Sequence, residues 1–280
     1  MAQYIETTIK SVLSQNYPNL EYIVIDGGST DGTQQIIEKY KDQLAYYVSE
    51  PDNGMYDAIN KGFSKATGDI IAWINADDVY MPWTLKTVND VFTKFPETQW
   101  LGGKYSFLNE DGTLAQIFPR TSVRCQKDIR EGWCREGVMG PLQQESMFWR
   151  KDLYAAAGGL DTSYRYAGDF ELWTRFAEHA QLSKIDIPLA AFRKRKTSLS
   201  KAGREKYDAE IAKAIDSKPK YPNIFWRVLR KSNIAVQLLR SLRYRKGGIF
   251  YFTMSGQELK RKKTYGSASN HSIQSLFLYR

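Results

Sequence analysis

Residues 68–82 read GDIIAWINADDVYMP, and this stretch decides the expected fold. The apolar run IIAWI at its centre has the length of a buried strand, and two adjacent acids, Asp77 and Asp78, follow shortly after it. Neighbouring carboxylates repel one another unless a positive charge lies close to them. The stretch therefore predicts a strand of a covered sheet with a binding site at its end, and it raises the question of which cation lies there.

Segments with helical and strand-like patterns alternate around this stretch. Helical spacing of apolar residues occurs over 3–14, 29–44, 55–66 and after Pro82, and strand-like runs occupy 21–25, 45–50 and 70–74. This order predicts an α/β fold with a mainly parallel sheet and helices on both faces. Ligands bind such sheets at the carboxyl ends of the strands, where Asp26 and Asp77 both fall. Further along, the pattern predicts a hairpin that turns at Asp111-Gly112 and a helix over 169–179.

Charge divides the chain into an acidic body and a basic tail. Residues 193–280 hold 22 Lys and Arg against 5 Asp and Glu, whereas the first 192 residues hold 18 against 26. We therefore expect a first domain over 1–200 and a basic helical extension over 201–280.

Within the tail, residues 222–251 mix aromatic, aliphatic and cationic side chains, a pattern typical of a basic amphipathic helix on an anionic membrane surface. A helix packed on the first domain with a solvated basic face is the alternative. A nucleic-acid surface is not expected, because the acidic body would repel phosphates.

The chain shows no apolar run of 18 residues and no secretory signal at its start, so a cytoplasmic location is predicted, with contact to the membrane through the tail. Its two cysteines, Cys125 and Cys134, imply neither a disulfide framework nor a zinc site by themselves.

The acid pair suits a hard divalent cation. Mg²⁺ and Mn²⁺ take oxygen ligands, often one or two carboxylates together with the phosphates of a substrate. We therefore expect Mg²⁺ or Mn²⁺ at Asp77. The alternative is that Asp77 or Asp78 only caps the helix that follows.

Several segments together resemble family 2 glycosyltransferases, which are inverting enzymes with the Rossmann-like GT-A fold. They are VIDGGSTDGT, SEPDNGMYDAINKGFSKATGDIIAWINADD and, downstream, MGPLQQESMFWR and YAGDFELWTRF. The resemblance covers about residues 2–200. It implies transfer of a sugar from a nucleotide-diphosphate donor, most commonly a UDP-sugar, to a saccharide or lipid-linked acceptor in surface polysaccharide synthesis.

The resemblance also implies roles for individual residues. Asp77 is the implied metal ligand, Asp169 the implied catalytic base, and Gln144 lies on the implied acceptor side. The implied donor-binding residues are Asp26, which would contact the nucleotide base, and Ser29, Asp31, Asp57, Asn60, Lys61, Asn75 and Asp78. For Asp169 the alternative is a helix cap.

The chain departs from the family pattern in four places. A first strand reading roughly VSIVIPTYN is missing ahead of residue 3, and its loss is expected to leave neighbouring strand edges without a partner. Asn75 and Gly168 stand where acids are common, and Arg195 stands where the family often has His. The alternative to an enzyme is therefore a non-catalytic relic of the fold that binds a saccharide or a partner.

Overall fold

The computed structural model describes residues 1–118, 124–136, 139–195, 203–216, 247–253 and 258–264. Helices and strands alternate through the first 71 residues, which confirms the α/β prediction. The elements are α1 Ala2–Leu13, β1 Ile23–Asp26, α2 Thr33–Glu38, β2 Tyr46–Ser49, α3 Met55–Lys65 and β3 Ile70–Ile71. The strand predicted over 70–74 is shorter than expected, because only its first two residues pair with a neighbour.

The described chain after residue 71 has more antiparallel pairing. Its strands are β4 Val79–Tyr80, β5 Trp100–Lys104, β6 Ser106–Leu108, β7 Leu114–Ile117, β8 Met147–Arg150, β9 Ser183–Pro188, β10 Ala190–Arg193, β11 Gly247–Thr253 and β12 Glu258–Thr264. Its helices are α4 Thr84–Lys94, α5 Gln126–Arg130, α6 Lys151–Ala156, α7 Gly168–His179 and α8 Arg204–Asp216. Single 3-10 turns occupy Lys41–Gln43 and Gln144–Ser146. The predicted hairpin is β6–β7, and the predicted helix over 169–179 is α7.

Three sheets form among the described residues. The largest has the order β12-β11-β9-β5-β8-β3, the second β4-β10-β6-β7, and the third contains only β1 and β2. The sheets are more mixed than the predicted parallel arrangement, because β8 runs antiparallel to both β5 and β3 while β5, β9 and β11 are parallel.

A gap separates the small sheet from the large one. Among the described residues, β1 pairs only with β2, and β3 pairs only with β8. Ile23 and Ile25 line one side of the gap, and Ile70, Ala72 and Ile74 line the other. One edge of β1 and one edge of β3 therefore have no partner strand among the described residues.

Aromatic side chains fill the core between the large sheet and α7. Trp100, Trp149 and Phe176 are fully buried, and Trp73 and Trp173 are nearly so. The ring of Trp173 stacks on that of Trp73 at 5.9 Å between centroids and on that of Trp100 at 5.8 Å. This cluster anchors α7, and with it the Asp169 segment, to the sheet.

Part of the basic tail belongs to the same core. Ile211 and Ala214 of α8 are buried in the cluster around Trp173, although both follow the predicted boundary at residue 200. A helix was predicted over 222–251. Residues 222–246 lie outside the described residues, and residues 247–251 are part of β11 instead of a helix. There β11 pairs with β9, so this end of the chain extends the large sheet.

Candidate functional site

One cavity of about 1220 Å³ runs from the gap between β1 and β3 to the start of α7. Four of the predicted site residues line it together, namely Asn75, Asp77, Gln144 and Asp169. They come from the end of the β3 segment, from the turn before β8 and from the first turn of α7. The topology therefore brings together residues that are up to 94 positions apart in the chain.

The cation beside the acid pair is an arginine. Arg195 donates its Nε–H to Asp77 Oδ2 at 2.5 Å, and the two side chains are only 13% and 9% exposed. Arg193 approaches from the same segment and donates its Nε–H to the Asp77 carbonyl at 2.7 Å. The cations at the acid pair are therefore two guanidinium groups, that of Arg193 at the end of β10 and that of Arg195 just after it.

Asp78 lies beneath the cavity. It has no exposed surface, and its Oδ1 accepts from the backbone N–H of Arg193 at 2.9 Å. Asn75 Nδ2 donates to Asp78 Oδ2 at 3.2 Å, and the Thr8 hydroxyl donates to the Asp78 carbonyl at 2.7 Å. Burial raises the pKa of Asp78 to about 7, and the charge of Asp77 adds to that rise. Asp78 therefore joins α1 to β10 instead of facing the cavity.

Gln144 connects the end of the β3 segment to the turn before β8. Its Nε2 donates to the Trp73 carbonyl at 2.7 Å, and its Oε1 accepts from Asn75 at 3.3 Å. The neighbouring Glu145 is 2% exposed, and burial raises the pKa of this carboxyl well above its usual range. Hydrogen bonds therefore connect Gln144, Asn75 and Asp78 at the floor of the cavity.

Asp169 occupies the first turn of α7, where its backbone N–H and that of Gly168 point at the Tyr56 hydroxyl at 3.3 and 2.9 Å. The Tyr56 hydroxyl in turn lies 3.4 Å from Asp169 Oδ1. Burial raises the pKa of Asp169 to about 6, although the helix N–H groups and Tyr56 oppose the rise. A Cβ at Gly168 would lie 2.5 Å from the Tyr56 ring, which explains why glycine stands where acids are common.

Glu210 of α8 holds the segment that precedes Asp169. Its carboxylate accepts hydrogen bonds from the backbone N–H groups of Arg165, Tyr166 and Ala167, each at 2.8 Å. A carboxylate that binds three successive amides orients the backbone there and adds negative charge near the start of α7.

The loop after β1 is held by Asp26. Its Oδ2 accepts from the backbone N–H of Ser29 at 2.9 Å and from the Ser49 hydroxyl at 2.6 Å. Burial opposes ionisation, but these hydrogen bonds outweigh it and lower the pKa of Asp26. Asp31 accepts from the Thr33 hydroxyl at 2.6 Å and also contacts the amino group of Met1, which lines the cavity. This loop therefore lies beside one end of the cavity.

The three predicted residues on α3 lie away from the cavity lining. Lys61 pairs with Asp57 at 3.5 Å and with Glu50 at 3.0 Å. Asn60 donates to the Leu160 carbonyl at 2.9 Å and accepts from the Tyr154 hydroxyl at 2.6 Å. These contacts tie α3 to the residue after β2, to α6 and to the segment before α7. The donor-binding role of Asp57, Asn60 and Lys61 stays a prediction.

The arrangement at Asp77 does not fit a divalent cation. Arg195 already contacts one carboxylate oxygen of Asp77, and Asp78 is buried and bonded to backbone and amide N–H groups. Hard cations of this kind need several oxygen ligands, and a fixed guanidinium would repel them. Within the described ranges, no group of three or more His, Cys, Asp or Glu side chains is placed to hold a metal ion.

Four residues of the site were not predicted from the sequence, namely Tyr56, Glu145, Arg193 and Glu210. Arg195 was noted only as a departure from the family pattern. Tyr56 stands next to the predicted Asp57 and Glu145 next to Gln144, so adjacency was a usable signal for both. Glu210 carries no sequence signal, because an acid on a helix surface is ordinary.

Comparisons with known proteins show the family to which the chain is similar. A sequence model described as "Glycosyl transferase family 2" matches residues 2–153. A glycosyltransferase of Mycobacterium tuberculosis, described as uncharacterized, is 41% identical over 62% of this chain and 63% of its own length. One of Rickettsia typhi is 25% identical over 62% of this chain and 55% of its own. A third, from Haemophilus influenzae, is 24% identical over 98% of this chain and 85% of its own length. The chain thus spans little more than half the length of some of these relatives.

Solved structures share the fold. S. aureus TarS 1-349 in complex with UDP-GlcNAc matches with a TM-score of 0.59 and 18% identity, over 87% of this chain and 73% of that one. The mannosyltransferase PcManGT from Pyrobaculum calidifontis, in complex with GDP-Man and Mn²⁺, matches with a TM-score of 0.55 and 20% identity. The match covers 84% of this chain and 66% of that one. Among the helices that the structure describes, none has the length and apolar character needed to cross a membrane.

Proposed function

This chain belongs to glycosyl transferase family 2, and we propose that it transfers a sugar from a nucleotide-diphosphate donor to a hydroxyl of a saccharide or lipid-linked acceptor, with inversion at the anomeric carbon. The observation that carries the proposal is the shared cavity of Asp169 and the Asp77–Arg195 pair. One end supplies a carboxylate able to take a proton, and the other supplies charge able to hold a diphosphate.

Asp169 serves as the general base of this reaction. A base works best when its pKa lies near the operating pH, and burial raises the pKa of Asp169 to about 6. Its carboxylate would accept the proton of the acceptor hydroxyl while the hydroxyl oxygen attacks the anomeric carbon. Because the acceptor attacks directly, no covalent intermediate on the protein is needed.

The loop at Asp26 binds the nucleotide base. An ionised carboxylate accepts hydrogen bonds from base N–H groups, and the lowered pKa of Asp26 keeps it ionised at neutral pH. TarS and PcManGT were solved with UDP-GlcNAc and GDP-Man, which makes UDP and GDP the first donor nucleotides to test. Gln144 contributes to the acceptor side, and Asn75 to the donor side.

Thermal unfolding of the full chain with UDP, GDP and dTDP tests the donor site. A nucleotide at 100 times its dissociation constant adds about 2.7 kcal/mol of stability, a shift of roughly 5–10 °C. We expect one nucleotide to give such a shift. Asp26→Asn should weaken its binding about 10- to 100-fold, because a hydrogen bond to a charged group is lost.

Asp90→Asn is the matched control, because Asp90 pairs with Lys86 on the exposed face of α4, outside the residues that line the cavity. It should bind the nucleotide as the parent does. The proposal is overturned if no nucleotide raises the unfolding temperature either with or without added Mn²⁺, or if Asp26→Asn and Asp90→Asn bind it equally well.

A second candidate is a non-catalytic relic of the fold that binds a saccharide or a partner. One observation favours binding of a partner: among the described residues, β1 and β3 each have an edge without a partner strand, and apolar side chains line the gap between them. A chain that binds nucleotide and acceptor yet releases no nucleotide from the donor sugar would support this candidate over the enzyme.

Other predictions extend the proposal beyond the site. Synthesis of surface polysaccharide and a cytoplasmic location remain predictions, as does contact of the basic tail with a membrane. The segment expected to make that contact lies mostly outside the described residues. The Mg²⁺ or Mn²⁺ predicted at Asp77 does not fit the contact between Asp77 and Arg195, and no step of the mechanism above depends on a metal ion.

Glu210→Gln tests how the base is positioned. The amide of Gln replaces one acceptor oxygen with N–H donors, so it cannot bind all three amides of residues 165–167. We expect kcat to fall about 5- to 20-fold with little change in KM. Since the Glu210 charge contributes to the raised pKa of Asp169, the acid limb of the pH–rate profile should also move to lower pH.

Glu205→Gln, in the exposed first turn of α8, is the control and should leave both the rate and the pH profile unchanged. An acid limb at the same pH in Glu210→Gln and the parent would contradict a positioning role.

A further inference from the structure

The pair formed by Asp77 and Arg195 is a buried ion pair at the wall of the cavity. The Nε–H of Arg195 lies 2.5 Å from Asp77 Oδ2, and both residues line the same cavity as Asp169. A charge-assisted hydrogen bond between two side chains that are only 13% and 9% exposed is strong and directional. The Nε–H is one of five guanidinium donors, so the group still has N–H donors suited to a second anion.

Packing fixes the position of Arg195. Its guanidinium lies over the ring of Tyr4 at 5.5 Å from the centroid, and that of Arg193 lies over the same ring at 5.0 Å. The Tyr4 hydroxyl donates to Glu110 at 3.1 Å, which holds the ring in place. The backbone bond from Arg193 to Asp78 anchors the end of β10. The charge is therefore preorganised by α1 and β10.

We propose that the Arg195 guanidinium takes the role of a divalent cation in this site, so that nucleotide binding and sugar transfer need no metal ion. The inference rests on the proposed function. A planar guanidinium matches two phosphate oxygens with parallel N–H donors, which makes it a ready partner for a diphosphate. Asp77 would then orient the guanidinium instead of binding a metal.

The reaction balances with this assignment. The acceptor oxygen forms a bond to the anomeric carbon, and its proton moves to Asp169. The bond from that carbon to the diphosphate oxygen breaks, and its electron pair leaves with the diphosphate. The leaving group gains one negative charge, and Arg195 offsets it through hydrogen bonds that strengthen as the charge develops.

Binding of UDP and GDP to the full chain by calorimetry, in EDTA and in Mn²⁺, tests the inference. We expect the dissociation constant of the bound nucleotide to differ less than about threefold between the two conditions. Binding that appears only with Mn²⁺ would overturn the inference and leave the proposed function standing. Absence of binding in both conditions would overturn the proposed function, and this inference with it.

Variants at Arg195 give a second readout. In EDTA, Arg195→Gln should weaken nucleotide binding about 10- to 100-fold, because charge-assisted hydrogen bonds to the diphosphate are lost. Lys194→Gln is the matched control, since it removes an equal charge from the exposed neighbouring side chain, which lies over the Phe107 ring. An equal loss of nucleotide affinity in both variants would show that Arg195 acts only through the overall charge of the chain, and it would overturn the inference.

Arg195→His should convert the site from one that holds a guanidinium cation into one that binds a metal ion. Imidazole can bind a metal ion, whereas guanidinium cannot, so this variant places a ligand beside Asp77. Electron paramagnetic resonance of added Mn²⁺ should show bound ion in Arg195→His and only free ion in the parent. Bound Mn²⁺ in the parent that Asp77→Asn abolishes would overturn the inference.

Discussion

Asp169→Asn should reduce sugar transfer about 10²- to 10⁴-fold while nucleotide binding stays within about twofold of the parent. Asparagine keeps the shape of the side chain but cannot accept the proton of the acceptor hydroxyl, and this range is the usual contribution of a positioned base. The measurement is release of the nucleotide from the donor sugar in the presence of acceptor, together with binding of the nucleotide alone.

The pH dependence of the parent adds a check on the same residue. Because the pKa of Asp169 is about 6, the fraction of ionised Asp169 falls about tenfold for each pH unit below that value. The rate of transfer should fall in the same proportion. The raised pKa also means that ionised Asp169 costs stability as the pH rises from the unfolded value near 4 through about 6. Asp169→Asn lacks this cost, so it should unfold no earlier than the parent at pH 8, and an unfolding temperature at least equal to that of the parent would exclude misfolding as the cause of lost activity.

Asp152→Asn is the matched control, since Asp152 is an exposed acid in the first turn of another helix, α6. It should leave transfer unchanged. Retention of more than a tenth of the parental rate in Asp169→Asn would remove this residue from the role of base.

The alternation of helices and strands was predictable because it depends on local hydrophobic spacing. The period of apolar residues identified α1, α3 and α4, and a short β-rich run identified β1. The length of β3 was not predictable in this way. Strand assignment requires a partner, and beyond Ile71 the side chains of Ala72 and Ile74 line the gap between the sheets, where no described strand pairs with them.

The structure of the basic tail was also not predictable from local hydrophobic spacing. Its cations and apolar residues predicted a helix over 222–251, but residues 247–251 belong to β11, whose Ile249 and Phe250 pair with β9 and so extend the large sheet. Short mixed segments carry both helical and strand patterns, and the available sheet edge at β9 decides between them.

In the site, the sequence identified residue types better than it identified partners. Asp77, Gln144 and Asp169 were predicted and line one cavity. The partner of Asp77 could not be predicted, because Arg195 is 118 residues away and reaches it only through the register of β10. Asp78 was expected to support the donor, yet it is buried, since the backbone of Arg193 takes one of its oxygens. Such pairings depend on tertiary contacts that local patterns do not contain.

The second large effect is on stability and concerns the aromatic cluster beneath Asp169. Trp173 is 2% exposed, one helical turn after Asp169, and its ring lies 5.4 Å from that of Trp149 as well as stacking on Trp73 and Trp100. Trp173→Ala should lower the free energy of unfolding by about 3–5 kcal/mol, because it removes buried area and leaves a cavity. The expected fall in unfolding temperature is roughly 6–20 °C.

Trp173→Phe separates the loss of packing from the loss of the indole N–H. In the described part of the chain, the indole N–H of Trp173 has no hydrogen-bond partner, as is true of those of Trp73 and Trp149. Removing this unsatisfied buried donor offsets part of the lost volume, so the phenylalanine variant should lose less than about 1.5 kcal/mol. A Trp173→Ala protein that unfolds within about 2 °C of the parent would show that other contacts hold α7, and with it Asp169, against the sheet. Equal losses in the two variants would show that the missing indole, and not the cavity, sets the cost.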